Sequence, residues 1–171
     1  GIVSYHPDFK IDGPEMQGVF ERADHERMAV AFDIGGPGQT SYQIAEWRRV
    51  IEKYHNIHFI ACHILVPKQL EQPGWAEELK SIAAGNTWFD FAAIPYNNMQ
   101  EYPYPTAAKL VEQAAEIVGV DRLMWGSDAP FVLSYATYAQ LRDYIRESGV
   151  FGDADLRKLY GENAVQAYRI R

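Results

Sequence analysis

Arg122-Leu123-Met124-Trp125-Gly126-Ser127-Asp128-Ala129-Pro130-Phe131 begins as a mostly apolar run that reads as a short buried strand and breaks at Gly126. Asp128 follows where the chain must leave the sheet, and Pro130 prevents simple continuation as strand or helix. An acid at the carboxyl end of a buried strand is costly unless it has a partner, a metal or a task. The rest of the chain is then a scaffold that brings further polar groups to the same place.

Upstream, apolar runs and helical stripes alternate. Strands are expected at residues 2–5, 28–32, 57–62 and 87–94, with residues 122–125 as the fifth. Helices are expected between them, carrying Met16, Val19, Phe20 and Ala23; Ile44, Trp47, Ile51 and Tyr54; Trp75, Leu79 and Ile82; and Leu110, Val111, Ala114, Ile117 and Val118. Two more follow, one with Tyr138, Leu141, Tyr144 and Ile145 and one with Leu156, Leu159 and Tyr160. Thr40 with Gln43, Ser134 and Asp153 are the expected N-caps, and Gly85 an expected C-cap.

The strand ends, His6, Asp33, His63, Pro95 and Ser127, are spaced by roughly 30 residues, the length of one strand–helix repeat. Near-continuous apolar strands joined by helices imply a parallel sheet in an α/β fold. An open, doubly wound sheet and part of a (β/α)8 TIM barrel both fit this pattern. The open sheet fits the length, since 171 residues accommodate a complete flavodoxin-like domain. The barrel fits the chemistry: His6, Asp33, His63 and Asp128 all stand at strand ends, and a barrel gathers its strand ends around one mouth. Against it, a full barrel runs to about 250 residues, so some strands would be missing. Gly1 leads directly into an apolar run, and further residues are expected before it.

Composition narrows the function. The net charge is −7 with no basic cluster, against nucleic acid or an anionic membrane as partner. A single cysteine, Cys62, excludes an intrachain disulfide and a cysteine zinc cluster, and a reducing, cytoplasmic setting is the default expectation. A small-molecule substrate remains.

Asp128 is the leading candidate, with a turn or cap role as the alternative. His63 is a candidate general base or metal ligand, or else a core histidine bonded to a carbonyl. Asp33, before a glycine loop, is a ligand, a base or a turn former. His6 is a candidate substrate contact. His25, His55 and His58 are expected to be solvated, and Cys62 to pack. The loop of residues 35–40 could hold an anion on its amides but lacks the phosphate-loop lysine. The aromatic-rich run of residues 96–104 reads as a pocket wall or a surface loop. No Gly-x-Ser-x-Gly elbow supports a serine hydrolase.

The segment of residues 121–131 resembles the last-strand signature of the amidohydrolase superfamily, in its amidohydrolase-2 (amidohydrolase-related) group. Residues 57–63, Ile-His-Phe-Ile-Ala-Cys-His, resemble that group's sixth strand, and residues 155–168 its closing helix. The resemblance implies strands four to eight of a distorted barrel. It implies metal-dependent hydrolysis, lactone hydrolysis or decarboxylation of small cyclic or aromatic acids. Asp128 would then bind the metal and assist proton transfer, and His63 would polarise substrate or move a proton. Asp33 stands where the group usually has a histidine ligand, so a divalent metal, zinc or manganese, would meet a carboxylate instead. The group's first-strand ligand pair is absent, and some lactonase relatives work without metal. A degenerate, non-catalytic binding module is the alternative. An open barrel exposes sheet edges, so a missing N-terminal segment, a second chain or self-association is expected to close it.

Overall fold

The computed structural model describes residues 9–170, so the expected first strand and His6 lie outside the described residues. Four strands, β1 (Ala29–Phe32), β2 (His58–Ala61), β3 (Thr87–Asp90) and β4 (Leu123–Met124), form one sheet in the order of the chain. Every pair is parallel, with Phe32 opposite Ala61, Ala61 opposite Phe89, and Phe89 opposite Leu123. A doubly wound sheet reverses its strand order and places its site at that reversal. The described strands show no reversal and follow one another in chain order, as in a barrel wall.

Helices α1 (Pro14–His25), α2 (Ile44–Lys53), α3 (Trp75–Ile82), the single turn α4 (Ile94–Asn97), α5 (Pro105–Val118) and α6 (Tyr138–Ser148) connect and cover these strands. Their apolar stripes bury Trp47, Ile51, Leu79, Ile82, Leu110, Val111, Leu141 and Ile145 with Phe59 and Phe89 from the sheet. Trp47 stacks on Phe32 at 3.9 Å and meets Phe20 and Phe59 edge-on, so α2 is locked to β1 and β2 by ring packing. Val19, expected in the α1 stripe, is exposed; Phe20 and Ala23 carry that contact.

The opposite face of the sheet holds a smaller apolar cluster of Ile60, Trp88 and Met124. It is covered by the C-terminal helix, which runs as α7 (Asp153–Arg157), a π turn (Lys158–Glu162) and α8 (Asn163–Ala167). The Trp125 amide donates to the Leu159 carbonyl in the π turn at 2.7 Å. Buried Asn163 donates to the carbonyls of Val120 and Leu123. The end of β4 is thereby tied to the C-terminal helix.

Several local expectations are corrected. Thr40 and Gln43 do not cap α2: Gln43 precedes the helix, and its side chain bonds the backbone of Phe9 and Ile11. Thr137, not Ser134, caps α6, in a capping box with Gln140. Gly152, not Asp153, is the N-cap of α7, and Ala83, not Gly85, ends α3. His58 is not solvated; it is half-buried against Trp88 and bonds the Ala167 carbonyl. The fourth strand stops at Asp90, short of Ile94, because the Asp90 side chain turns the chain by accepting the Ala92 amide. No helix of the described residues is long and apolar enough to cross a membrane.

Candidate functional site

Parallel strands in sequential order put all their carboxyl ends on one side of the sheet. There β1 delivers Asp33, β2 delivers Cys62 and His63, β3 delivers Asp90, and the segment after β4 delivers Asp128. Asp33, His63 and Asp128 line one cleft of about 720 Å³. Its remaining wall includes Gly35, Gln39, Lys68, Tyr96, Asn97 and Phe131.

His63 is held from both sides. Its Nδ1 lies 2.9 Å from the Ala92 carbonyl, which can only accept, so Nδ1 carries the proton. In the neutral ring Nε2 is then a free lone pair, and it lies 3.8 Å from Asp33 Oδ2. The His63 amide donates to Asp90 Oδ1 at 3.0 Å. Residues 63–66 all lie in the left-handed region, with β-branched Ile64 at φ 43° and Val66 at φ 52°. Such residues cost roughly 1–3 kcal/mol each and persist only where the surroundings over-determine them. Here buried Trp75 donates its indole N–H to the Ile64 carbonyl at 2.7 Å, and the Val66 amide closes the turn on the His63 carbonyl.

Asp33 forms a tight turn, its Oδ1 accepting the Gly35 amide at 2.9 Å, which leaves Oδ2 facing His63. The next amide, Gly36, donates to Gln39. Both leading amides of the glycine loop are therefore satisfied internally, and α2 begins only at Ile44, so the loop offers no anion cradle of the kind its sequence allowed.

Asp128 also lies in the left-handed region, at φ 56°, which a short polar residue tolerates. Gly126, two residues earlier, sits tightly against the β3 turn: a Cβ there would stand 3.1 Å from the Ala92 Cβ. Desolvation raises the Asp128 carboxyl above the ordinary carboxylate value; His63 opposes this, and the negative charges of Asp90 and Asp33 add to it. Burial, then Asp90, pushes the Cys62 thiol upward, so Cys62 stays protonated, as expected of a packing residue.

Of the sequence candidates, Asp33, His63 and Asp128 are thus brought together, and His6 lies outside the described residues. Sequence reasoning misses Asp90 because its apolar run reads as strand through Ile94. The signal was present, an acid inside an apolar run, the same one that marked Asp128. The aromatic-rich run does supply pocket wall, through Tyr96 and Asn97, and Tyr96 meets Phe131 edge-on at 5.1 Å. Lys68, on the cleft rim, had no sequence signal beyond its charge.

Among the described residues, no three His, Cys, Asp or Glu side chains are arranged to hold a metal ion. Asp33 spends one oxygen on Gly35, which leaves its other oxygen, 3.8 Å from His63 Nε2, as its free donor. The described residues do not by themselves fit a divalent cation.

A family model described as amidohydrolase matches residues 6–170. A comparison with curated proteins finds no significant match. Among solved structures, the chain resembles an amidohydrolase from Burkholderia multivorans crystallised with zinc (15% identity, TM-score 0.74, covering 94% of this chain and 59% of that one). It also resembles a putative 2-pyrone-4,6-dicarboxylic acid hydrolase from Pseudomonas putida (20%, 0.73, 94% and 59%). A third is 5-carboxyvanillate decarboxylase from Sphingomonas paucimobilis (15%, 0.66, 99% and 58%). At these identities the likeness fixes the fold: the parallel sheet is part of a TIM barrel. The chain spans about three-fifths of the length of these structures.

Proposed function

The chain belongs to the amidohydrolase family, and from that premise we propose that it is the C-terminal part of a single TIM-barrel domain. In this proposal it is a hydrolase or decarboxylase of small cyclic or aromatic acids, esters or lactones. The observation that carries the proposal is the convergence of Asp33, His63 and Asp128, from three strand ends, on one cleft.

In hydrolysis, the Asp128 carboxylate accepts the proton of the attacking water and later returns it to the leaving oxygen. Its raised pKa makes it a stronger base than an ordinary carboxylate. In decarboxylation the same group, protonated, delivers its proton to the ring carbon that loses carbon dioxide. His63, with Nδ1 fixed on Ala92, presents Nε2 to the cleft. Protonated there, it donates to the substrate oxygen on which charge develops, and Asp33 balances its charge. The Tyr96–Phe131 edge suits a planar ring, and Lys68 on the rim suits a substrate carboxylate. A bound zinc or manganese ion would need donors beyond the described residues. Completion of the barrel by a further segment or a second copy belongs to the same proposal.

A screen of lactones and carboxylated phenols tests it. Asp128→Asn is expected to lower turnover of the best substrate by about 10²–10⁴-fold; near-normal turnover refutes the assignment. A non-catalytic binding module is the second reading, supported by the lack of a cation site among the described residues and by Asp33 at the histidine position. Saturable binding of these compounds without turnover would favour it.

A further inference from the structure

We propose that Asp90 is a positioning residue that sets the tautomer and aim of His63. The proposal rests on the acid–base role of His63 given above. Asp90 is not among the residues that line the cleft, so it acts through a neighbour. Its side chain is only 15% exposed, and its Oδ1 accepts two amides, from His63 at 3.0 Å and from Ala92 at 3.1 Å. Those two residues are the ends of the histidine's own contact, since the Ala92 carbonyl takes the proton of His63 Nδ1 at 2.9 Å.

One carboxylate oxygen thus ties together the backbone that carries the imidazole and the backbone that receives its proton. The bond to His63 holds a residue whose φ of 58° and ψ of 25° a side chain other than glycine disfavours. The bond to Ala92 fixes the turn after β3, where Ala93 is itself left-handed at φ 56°. With both amides held, the Ala92 carbonyl faces Nδ1, and Nε2 is left with its lone pair toward Asp33. Asp90 therefore selects the Nδ1–H form without touching substrate.

The experiment is a long-range proton–nitrogen correlation spectrum of the 15N-labelled protein, with His63 assigned by loss of its signals in His63→Gln. His63 is expected in the Nδ1–H form in the starting protein and in Asp90→Asn, whose amide oxygen still accepts both N–H groups. In Asp90→Ala that form is expected to lose its predominance, and kcat to fall about 10–100-fold, with KM moved much less. Asp90→Leu, which removes the acceptor but keeps the volume, serves where the alanine variant does not fold. An unchanged tautomer in the folded alanine or leucine variant overturns the proposal, and so does its loss in Asp90→Asn. The tautomer is read without turnover, whereas unchanged turnover in His63→Gln overturns the acid–base role alone, so the two failures are distinguishable.

Discussion

Trp75→Phe probes how the fold supports the site. Trp75 is 2% exposed, and its indole N–H is the donor to the carbonyl of fully buried Ile64, inside the left-handed turn that begins at His63. Phenylalanine at the start of α3 keeps most of the apolar contact with the core but removes that donor. A buried carbonyl left unpaired costs about 1–3 kcal/mol, and the smaller ring leaves a gap worth about 1 kcal/mol more. The expected loss is therefore about 2–4 kcal/mol, which against a total of roughly 5–15 kcal/mol leaves the protein folded. The midpoint of thermal unfolding should fall by roughly 4–16 °C. Trp88→Phe is the internal control. Trp88 is also buried, at 5% exposure, but its indole nitrogen has no hydrogen-bond partner among the described residues, so only the ring contact changes. Urea unfolding followed by far-UV circular dichroism measures both variants on the same scale. A Trp75→Phe loss below about 0.5 kcal/mol, or one equal to that of Trp88→Phe, would refute the role given to the Ile64 bond.

The remaining predictions concern charge. The folded-state pKa of Asp128 is raised, so this carboxyl favours folding most below its ordinary value of 3.8, and that contribution is lost as pH rises through the folded pKa. Asp128→Asn is therefore expected to raise the urea midpoint at pH 7 while lowering turnover, with the gain vanishing below pH 3.8; a lower midpoint at pH 7 counts against it. Asp33→Asn removes one of the charges that raise Asp128. It should move the acid limb of the kcat/KM profile to lower pH, and a move to higher pH would contradict the assignment. Lys68→Met should raise KM for a carboxylated substrate about two- to fivefold, less at high salt, and leave a neutral lactone unaffected. An equal effect on both substrates would remove Lys68 from substrate recognition.

The α/β class and the repeat were legible because buried parallel strands must be apolar through their length, and amphipathic helices must repeat every three or four residues. Asp33, His63 and Asp128 were legible for a related reason: a polar residue at the end of a buried strand carries a cost that needs a purpose. The caps were not, because Gln43 had a better use on the backbone of Phe9 and Ile11, distant in sequence, than on its own helix. The burial of His58 likewise depended on the Ala167 carbonyl, more than a hundred residues away.

At Gly126-Ser127-Asp128 the division is plain. The sequence alone determined that a short buried strand breaks at Gly126 and that the acid stands where the chain leaves the sheet. Only the tertiary structure decided its company. Asp90 became a support for His63 because a side-chain hydrogen bond ended its strand earlier than the apolar pattern implied. The Nδ1–H tautomer of His63 follows from a carbonyl on the neighbouring strand's loop. The raised pKa of Asp128 follows from desolvation and from two carboxylates distant in sequence. Periodicity records which side of an element is buried, whereas protonation depends on which groups from other elements arrive within a few ångströms.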